Sequence, residues 1–162
     1  IKSMYKHIAQ FDALISVAGG DSIFKPFTEL EDEDYKYGFE RKFLGQVKLV
    51  RYGMDCIRDN GSFTLTSGFL SHYPNPYSVA TGPLNSAVDN FVRDTALLLT
   101  NGVRINVVSP APVVEPGQEK KGLVTASQTA KMCVKAVEGN FTGQILRAWG
   151  GLALPEENDG LF

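Results

Sequence analysis

Residues 11–20 read FDALISVAGG, an apolar run interrupted only by Asp12 and Ser16 and closed by glycine. It is too short for a helix, and its compactness predicts a strand buried on both faces, the habit of parallel sheets. Upstream, IKSMYKHIAQ reads as the last turns of an amphipathic helix. Downstream, the polar, Pro-containing GDSIFKPFTELEDED reads as a loop, and a helical pattern follows from about Glu31 to Arg58. Within it Phe39, Phe43, Leu44, Val47, Val50 and Met54 recur at helical spacing, and the acidic residues 31–34 suit the positive end of the helix dipole.

The alternation continues to the end of the chain. DNG at 59–61 predicts a turn, SFTLTSG at 62–68 a second strand, and residues 83–100 a helix. VRINVVSP at 103–110 predicts a third strand, residues 127–138 a helix after a proline-rich loop, and GQILRAW at 143–149 a last strand. Strands separated by helices of this length must run parallel, because parallel neighbours need a crossover. The expected fold is therefore an α/β layer structure, one doubly wound domain over residues 1–162 with a tail at 152–162. In such sheets ligands bind outside the carboxyl ends of the strands. Here those ends are AGG, TSGFLSHYPNPY and SPAPVVEP, three loops rich in Gly, Ser and Pro.

Composition narrows the function. The 162 residues carry 16 basic and 18 acidic side chains, a net charge of -2 with no long basic block, which argues against a nucleic-acid partner. Cys56 and Cys133 lie in apolar contexts without metal-ligand spacing and read as packed free thiols, which suits a reducing, cytoplasmic setting. No apolar run approaches the ~18 residues of a membrane span, and no signal-peptide pattern opens the chain. Asp12 and Asp21 flank the first strand, but no His or Cys joins them at ligand spacing, so no metal is expected.

Several segments together resemble the short-chain dehydrogenase/reductases. FDALISVAGG resembles that family's fourth strand, NGSFTLTSG the fifth, NGVRINVVSPAPVVEP the sixth with its nicotinamide-side segment, and FTGQILRAWGG the closing strand. GSFTLTSG, a following helix without a Tyr-Lys pair and a TGQ strand are also similar to atypical bacterial members. The resemblance implies a Rossmann-type sheet binding NADP or NAD, with strands four to seven and their helices in this chain and the first three strands and glycine-rich turn upstream of Ile1. It also implies an Asn-Ser-Tyr-Lys tetrad, in which a cation lowers the pKa of a phenol so that it exchanges protons near neutrality.

The tetrad positions carry other residues. Aligned on NSAVDNFVRDTALLL, Thr81 takes the tyrosine position and Asn85 the lysine position; Gly68 takes the serine position with Ser67 beside it, and Lys42 the asparagine position. The cofactor contacts implied by the resemblance fall on Ala18, Gly19, Pro110 and Val113. Ser16-Val17 stand in place of Asn-Asn, Pro110-Ala111 in place of Pro-Gly, and Glu115 near the usual threonine. Tyr77, four residues before Thr81, and His72 are alternative proton donors, although the next lysines along the chain are Lys48 and Lys120. Lys42 would bring positive charge toward the second-strand loop.

Three functions follow from these residues. The first is an NAD(P)-dependent oxidoreductase acting on a small carbonyl or alcohol. The second is a non-catalytic binding or assembly protein on the same fold, and the third a non-redox isomerase or lyase with Thr81 and Asn85 orienting substrate. Tyr37, Phe39, Phe43, Val47 and Tyr52 surround the helix 31–58, more than one sheet face can hide. A homodimer or homotetramer through the helices 31–58 and 83–100 is therefore expected.

Overall fold

A computed structural model describes residues 1–19 and 22–155. After a single helical turn, α1 (Lys2–Tyr5), strand β1 (Phe11–Ile15) leads through a loop to one continuous helical rod. The rod consists of α2 (Asp32–Gly38), a π-helical turn (Phe39–Leu44) and α3 (Gly45–Gly53). Then follow β2 (Ile57–Thr66), a 3-10 turn (Phe69–Ser71), α4 (Gly82–Ala96), β3 (Arg104–Pro110), β4 (Val113–Val114), β5 (Val124–Thr125), α5 (Ala126–Glu138) and β6 (Ile145–Ala148). The main sheet has the order β1-β2-β3-β6 with every pair parallel, as the alternation requires, and β4 and β5 form a small parallel pair beside it.

Alternate residues of β2 and β3 build two cores. On one face Phe63, Leu65, Ile105 and Val107 pack with Val50 of α3 and Val88 and Val92 of α4. On the other, Val108 and Leu146 pack with Cys133 and Ala136 of α5. Each Val, Leu, Ile or Phe side chain fully withdrawn from water contributes about 1.5–3 kcal/mol. The start of α5 is closed by a reciprocal cap, in which Thr125 Oγ1 accepts from Gln128 N and Gln128 Oε1 accepts from Thr125 N. Its far end rests on Arg104, whose guanidinium donates to the carbonyls of Ala136 (3.1 Å), Val137 (2.8 Å) and Gly139 (2.6 Å).

Several sequence expectations need correction. The rod ends at Gly53 and β2 begins at Ile57, so DNG is a bulge within the strand rather than a turn before it. Phe11 pairs with Ile57 but Ala13 with Ser62, and Asn60 takes a left-handed φ of 63° while its N–H bonds Asn101 O at 2.9 Å. Among the described residues β1 pairs in parallel with β2, as expected. The helix expected over 83–100 ends at Ala96. Of the tail 152–162, residues 156–162 lie outside the described residues, as does Asp21. Among the described residues no helix is long and apolar enough to cross a membrane, and both cysteines are free thiols.

Candidate active site

The π-helical turn decides where Lys42 goes. A π turn inserts one extra residue into a helix and re-aims the side chains around it, and such turns recur at functional sites. The site just beyond is clamped to the sheet by Gln46, which is buried. Its Nε2 donates to Lys42 O (3.1 Å) and Thr66 O (2.9 Å), and its Oε1 accepts from Thr66 N (2.8 Å). Thus held, Lys42 reaches the carboxyl end of β2 and donates from Nζ to Ser67 O at 3.0 Å. Among the described residues no carboxylate lies within ion-pair distance of it. Burial of this uncompensated ammonium lowers its pKa to about 8, against an opposing pull from Asp89.

Facing Lys42 across the end of β2 is the amino-terminal half of α4. Asn85 and Asp89 lie one turn apart on the helix face that also buries Val88 and Val92. Asn85 occupies the space beside Gly68, where a Cβ would come within 2.8 Å of Asn85 Nδ2. Asn85 Oδ1, Ser67 Oγ and both carboxylate oxygens of Asp89 are buried without a hydrogen-bond partner. Burial raises the Asp89 pKa, and the nearby Ser67 and Ser71 hydroxyls, His72 and Arg93 only partly oppose it. Those hydroxyls stand beside the carboxylate without completing a bond to it; Ser71 Oγ donates instead to Gly68 O at 3.0 Å and contacts His72 Nδ1 at 2.8 Å. The His72 ring lies 5.1 Å from that of Trp149, whose Nε1 donates to Ser109 Oγ.

Thr81 stands apart from this cluster. Its hydroxyl donates to Ile23 O (3.0 Å) and accepts from Ile23 N (3.1 Å), and Lys25 N donates to Tyr77 O (3.0 Å). The loop after β1 is therefore stitched to the start of α4 by Thr81, whose one proton is already committed. Tyr77 is 55% exposed, with its backbone N–H bonded to Asn75 Oδ1. The structure thus brings Lys42, Ser67 and Asn85 together and leaves Thr81 and Tyr77 outside them.

The residues assigned to a cofactor lie at the carboxyl ends of β1 and β3, about 10 Å apart by the spacing of two strands. Ala18 is exposed, and a Cβ at Gly19 would lie 3.3 Å from Lys42 Cγ. Pro110 closes β3, and Val113 is exposed in the short β4. Asp89, Gln46 and Ser71 were not singled out by sequence reasoning. A signal existed for Asp89: a carboxylate spaced with Asn85, Val88 and Val92 on a core-facing stripe is costly unless it has a task.

Residues 1–142 match a family model described as Enoyl-(Acyl carrier protein) reductase. The protein lin1944 from Listeria innocua is 34% identical, with 91% of this chain covering 76% of that one at a TM-score of 0.82. This chain belongs to the short-chain dehydrogenase/reductase superfamily. A small-chain dehydrogenase solved in complex with NADPH is 25% identical, with 93% of this chain covering 77% of that one at a TM-score of 0.84. The angucycline C-6 ketoreductase LanV with bound NADP shares the fold at 15% identity and a TM-score of 0.81, over 91% of this chain and 68% of that one. A comparison with curated proteins returned no match. The four-stranded sheet is the C-terminal part of the superfamily's Rossmann-type fold. Within it Asn85 lies close to Gly68, so that a side chain at 68 would oblige the Asn85 amide to move.

Proposed function

We propose that this superfamily member is an NAD(P)-dependent reductase that converts a small carbonyl compound to its alcohol, with Lys42 as the proton donor. The observation that carries this reading is the Lys42 ammonium resting on Ser67 O between Gly19 and Gly68, with its pKa brought to about 8. The residues present suit the nicotinamide side of a dinucleotide. Gly19 leaves open the space beside Lys42 that a side chain would fill, and three residues before it the Ser16 hydroxyl is buried without a partner. The loops at Ala18–Gly19 and Pro110–Val113 would hold that half, and exposed Glu115 can turn its charge toward solvent.

When bound, the dihydronicotinamide supplies the hydride. Lys42 then gives a proton to the carbonyl oxygen; a desolvated ammonium with a pKa near the working pH transfers protons well in both directions. The Ser67 carbonyl aims the amine by its hydrogen bond, and the buried amide of Gln46 holds the surrounding backbone. Thr81 fixes the loop at Ile23 that borders the crevice. NADPH and NADH oxidation with a panel of small aldehydes and ketones tests the reading. Turnover that is lost in Lys42→Met supports it, and failure of the intact protein to bind either dinucleotide at millimolar concentration defeats it.

The commitment of the Thr81 hydroxyl to Ile23 favours a second reading, a non-catalytic member that binds a dinucleotide or a partner. Dinucleotide binding without turnover of any carbonyl compound would select it. We also propose a homo-oligomer built on α2, the π turn and α4. A groove of about 410 Å³ there is lined by Tyr35, Phe39, Leu44, Ala80, Pro83 and Leu84. A second copy of the same helices would cover it.

A further inference from the structure

Beyond β6 the chain turns back over the carboxyl edge of the sheet. Gly150 and Gly151 take left-handed φ angles of 59° and 83°, and Leu152 N closes the turn on Trp149 O at 3.2 Å. A side chain at Gly150 would also collide with Leu123 O, so the reversal needs a glycine there on two grounds. On one side the returning chain is joined to the loop after β3. Gly122 N donates to Gly150 O at 3.1 Å, and a Cβ at Gly122 would stand 3.3 Å from Leu152 Cδ1. On the other side it is joined to the loop after β2, where the Tyr73 hydroxyl donates to Ala153 O. Residues 150–153 thus span the two loops that follow β2 and β3.

The span has a fixed end and a loose one. Trp149, at the fixed end, is 3% exposed, donates from Nε1 to Ser109 Oγ at 3.1 Å and meets the Tyr73 ring edge-on at 5.7 Å. Beyond it burial fades, and Gly151 and Ala153 are exposed. Among the described residues the Tyr73 hydroxyl makes the one side-chain hydrogen bond to residues 150–153. A segment held by one such bond and little buried apolar area opens at far lower cost than the sheet beneath it.

We propose that residues 150–153 are a strap between the two loops, and that Tyr73 is the positioning residue that holds it closed and so limits how bulky a carbonyl compound the crevice admits. The strap stands on the contacts above; the size limit rests also on the reductase reading, in which the carbonyl compound lies at the carboxyl ends of the same strands. A short turn links the latch to that crevice. Ser71, two residues before Tyr73, donates to Gly68 O at 3.0 Å, and Gly68 directly follows the carbonyl that accepts from Lys42.

Trp149 is the only tryptophan of the chain, so its emission reports on the end of the strap that meets Tyr73. The test uses the intact protein carrying Tyr73→Phe, which keeps the ring and removes the hydroxyl, or Tyr73→Leu, which removes both. In Tyr73→Phe the Leu152 amide, whose bond to Trp149 O breaks when the strap lifts, is expected to exchange about 2- to 10-fold faster, the worth of one hydrogen bond. Tyr73→Leu is expected to enlarge that change and to shift Trp149 emission to the red. In both variants kcat/KM for an aryl ketone, relative to a short aliphatic aldehyde, is expected to rise about 2- to 10-fold through KM, with kcat for the aldehyde unchanged. Exchange and emission equal to the parent's in both variants overturn the strap, and Tyr73→Phe alone decides should Tyr73→Leu fold poorly. Faster exchange with an unchanged ratio of the two substrates overturns the size limit. A parent protein that reduces nothing overturns the reductase reading and the size limit with it, while exchange and emission still decide the strap.

Discussion

Asn85 occupies the space beside Gly68: a Cβ at that glycine would meet Asn85 Nδ2 at 2.8 Å. The contact couples the loop after β2 to the first turns of α4. Gly68 has an extended backbone, so the glycine is required here by the neighbouring amide and not by its dihedral angles. A serine at 68 would therefore oblige the Asn85 amide to move.

Gly68→Ser is expected to destabilise the protein by about 1–3 kcal/mol through overpacking. Adding Asn85→Ala should recover part of that loss, so that the two changes together cost less than their sum. Urea denaturation of the four proteins of this cycle measures the coupling. Strict additivity would show that the two side chains do not compete for space.

Lys42 gives stability a specific pH dependence. Its folded pKa is lowered to about 8 from 10.5, so between these values the unfolded chain still holds the proton and the folded chain has lost it. Stability from this group therefore rises with pH across that window, and below pH 8 the buried charge opposes folding. The full gain is bounded at about 3 kcal/mol. Lys42→Met should flatten the profile between pH 8 and 10.5, which denaturation midpoints across that range would show.

Arg104 anchors the carboxyl end of α5 through three main-chain carbonyls. Arg104→Met leaves those carbonyls without their charged donor and is expected to cost about 2–3 kcal/mol, with Arg104→Lys recovering part of it. Amide hydrogen exchange should locate the loosening at Ala136 to Gly139. Equal protection in the parent and Arg104→Met would refute the anchoring role.

The proposed association is tested at Phe39, 43% exposed in the groove beside α4. Light scattering of the parent is expected to give a dimer or tetramer mass. Phe39→Asp, which sets a charge in that groove, should give the mass of a single chain. A monodisperse parent monomer would end the proposal.

Much of the fold was legible along the chain. The apolar runs at Phe11, Phe63 and Ile105, separated by helical spacing, called for parallel neighbours, and the sheet has them in that order. What periodicity cannot convey is where a strand bulges. DNG reads as a turn because its local preferences favour one. The bond from Asn60 to Asn101, forty-one residues away, keeps it within the strand.

The sequence by itself determined the alternation of strands and helices and the edge of the sheet at which a site would form. These follow from local periodicity, strand direction and the order of residues. Only the tertiary structure decided which side chains share that site. A helical stripe says that Asn85 and Asp89 face inward but not what they meet, and a π turn in one helix carries Lys42 to the end of β2. Burial and the lack of a counterion, which arise only when separate elements pack together, bring the lysine's pKa to about 8 and raise that of the aspartate.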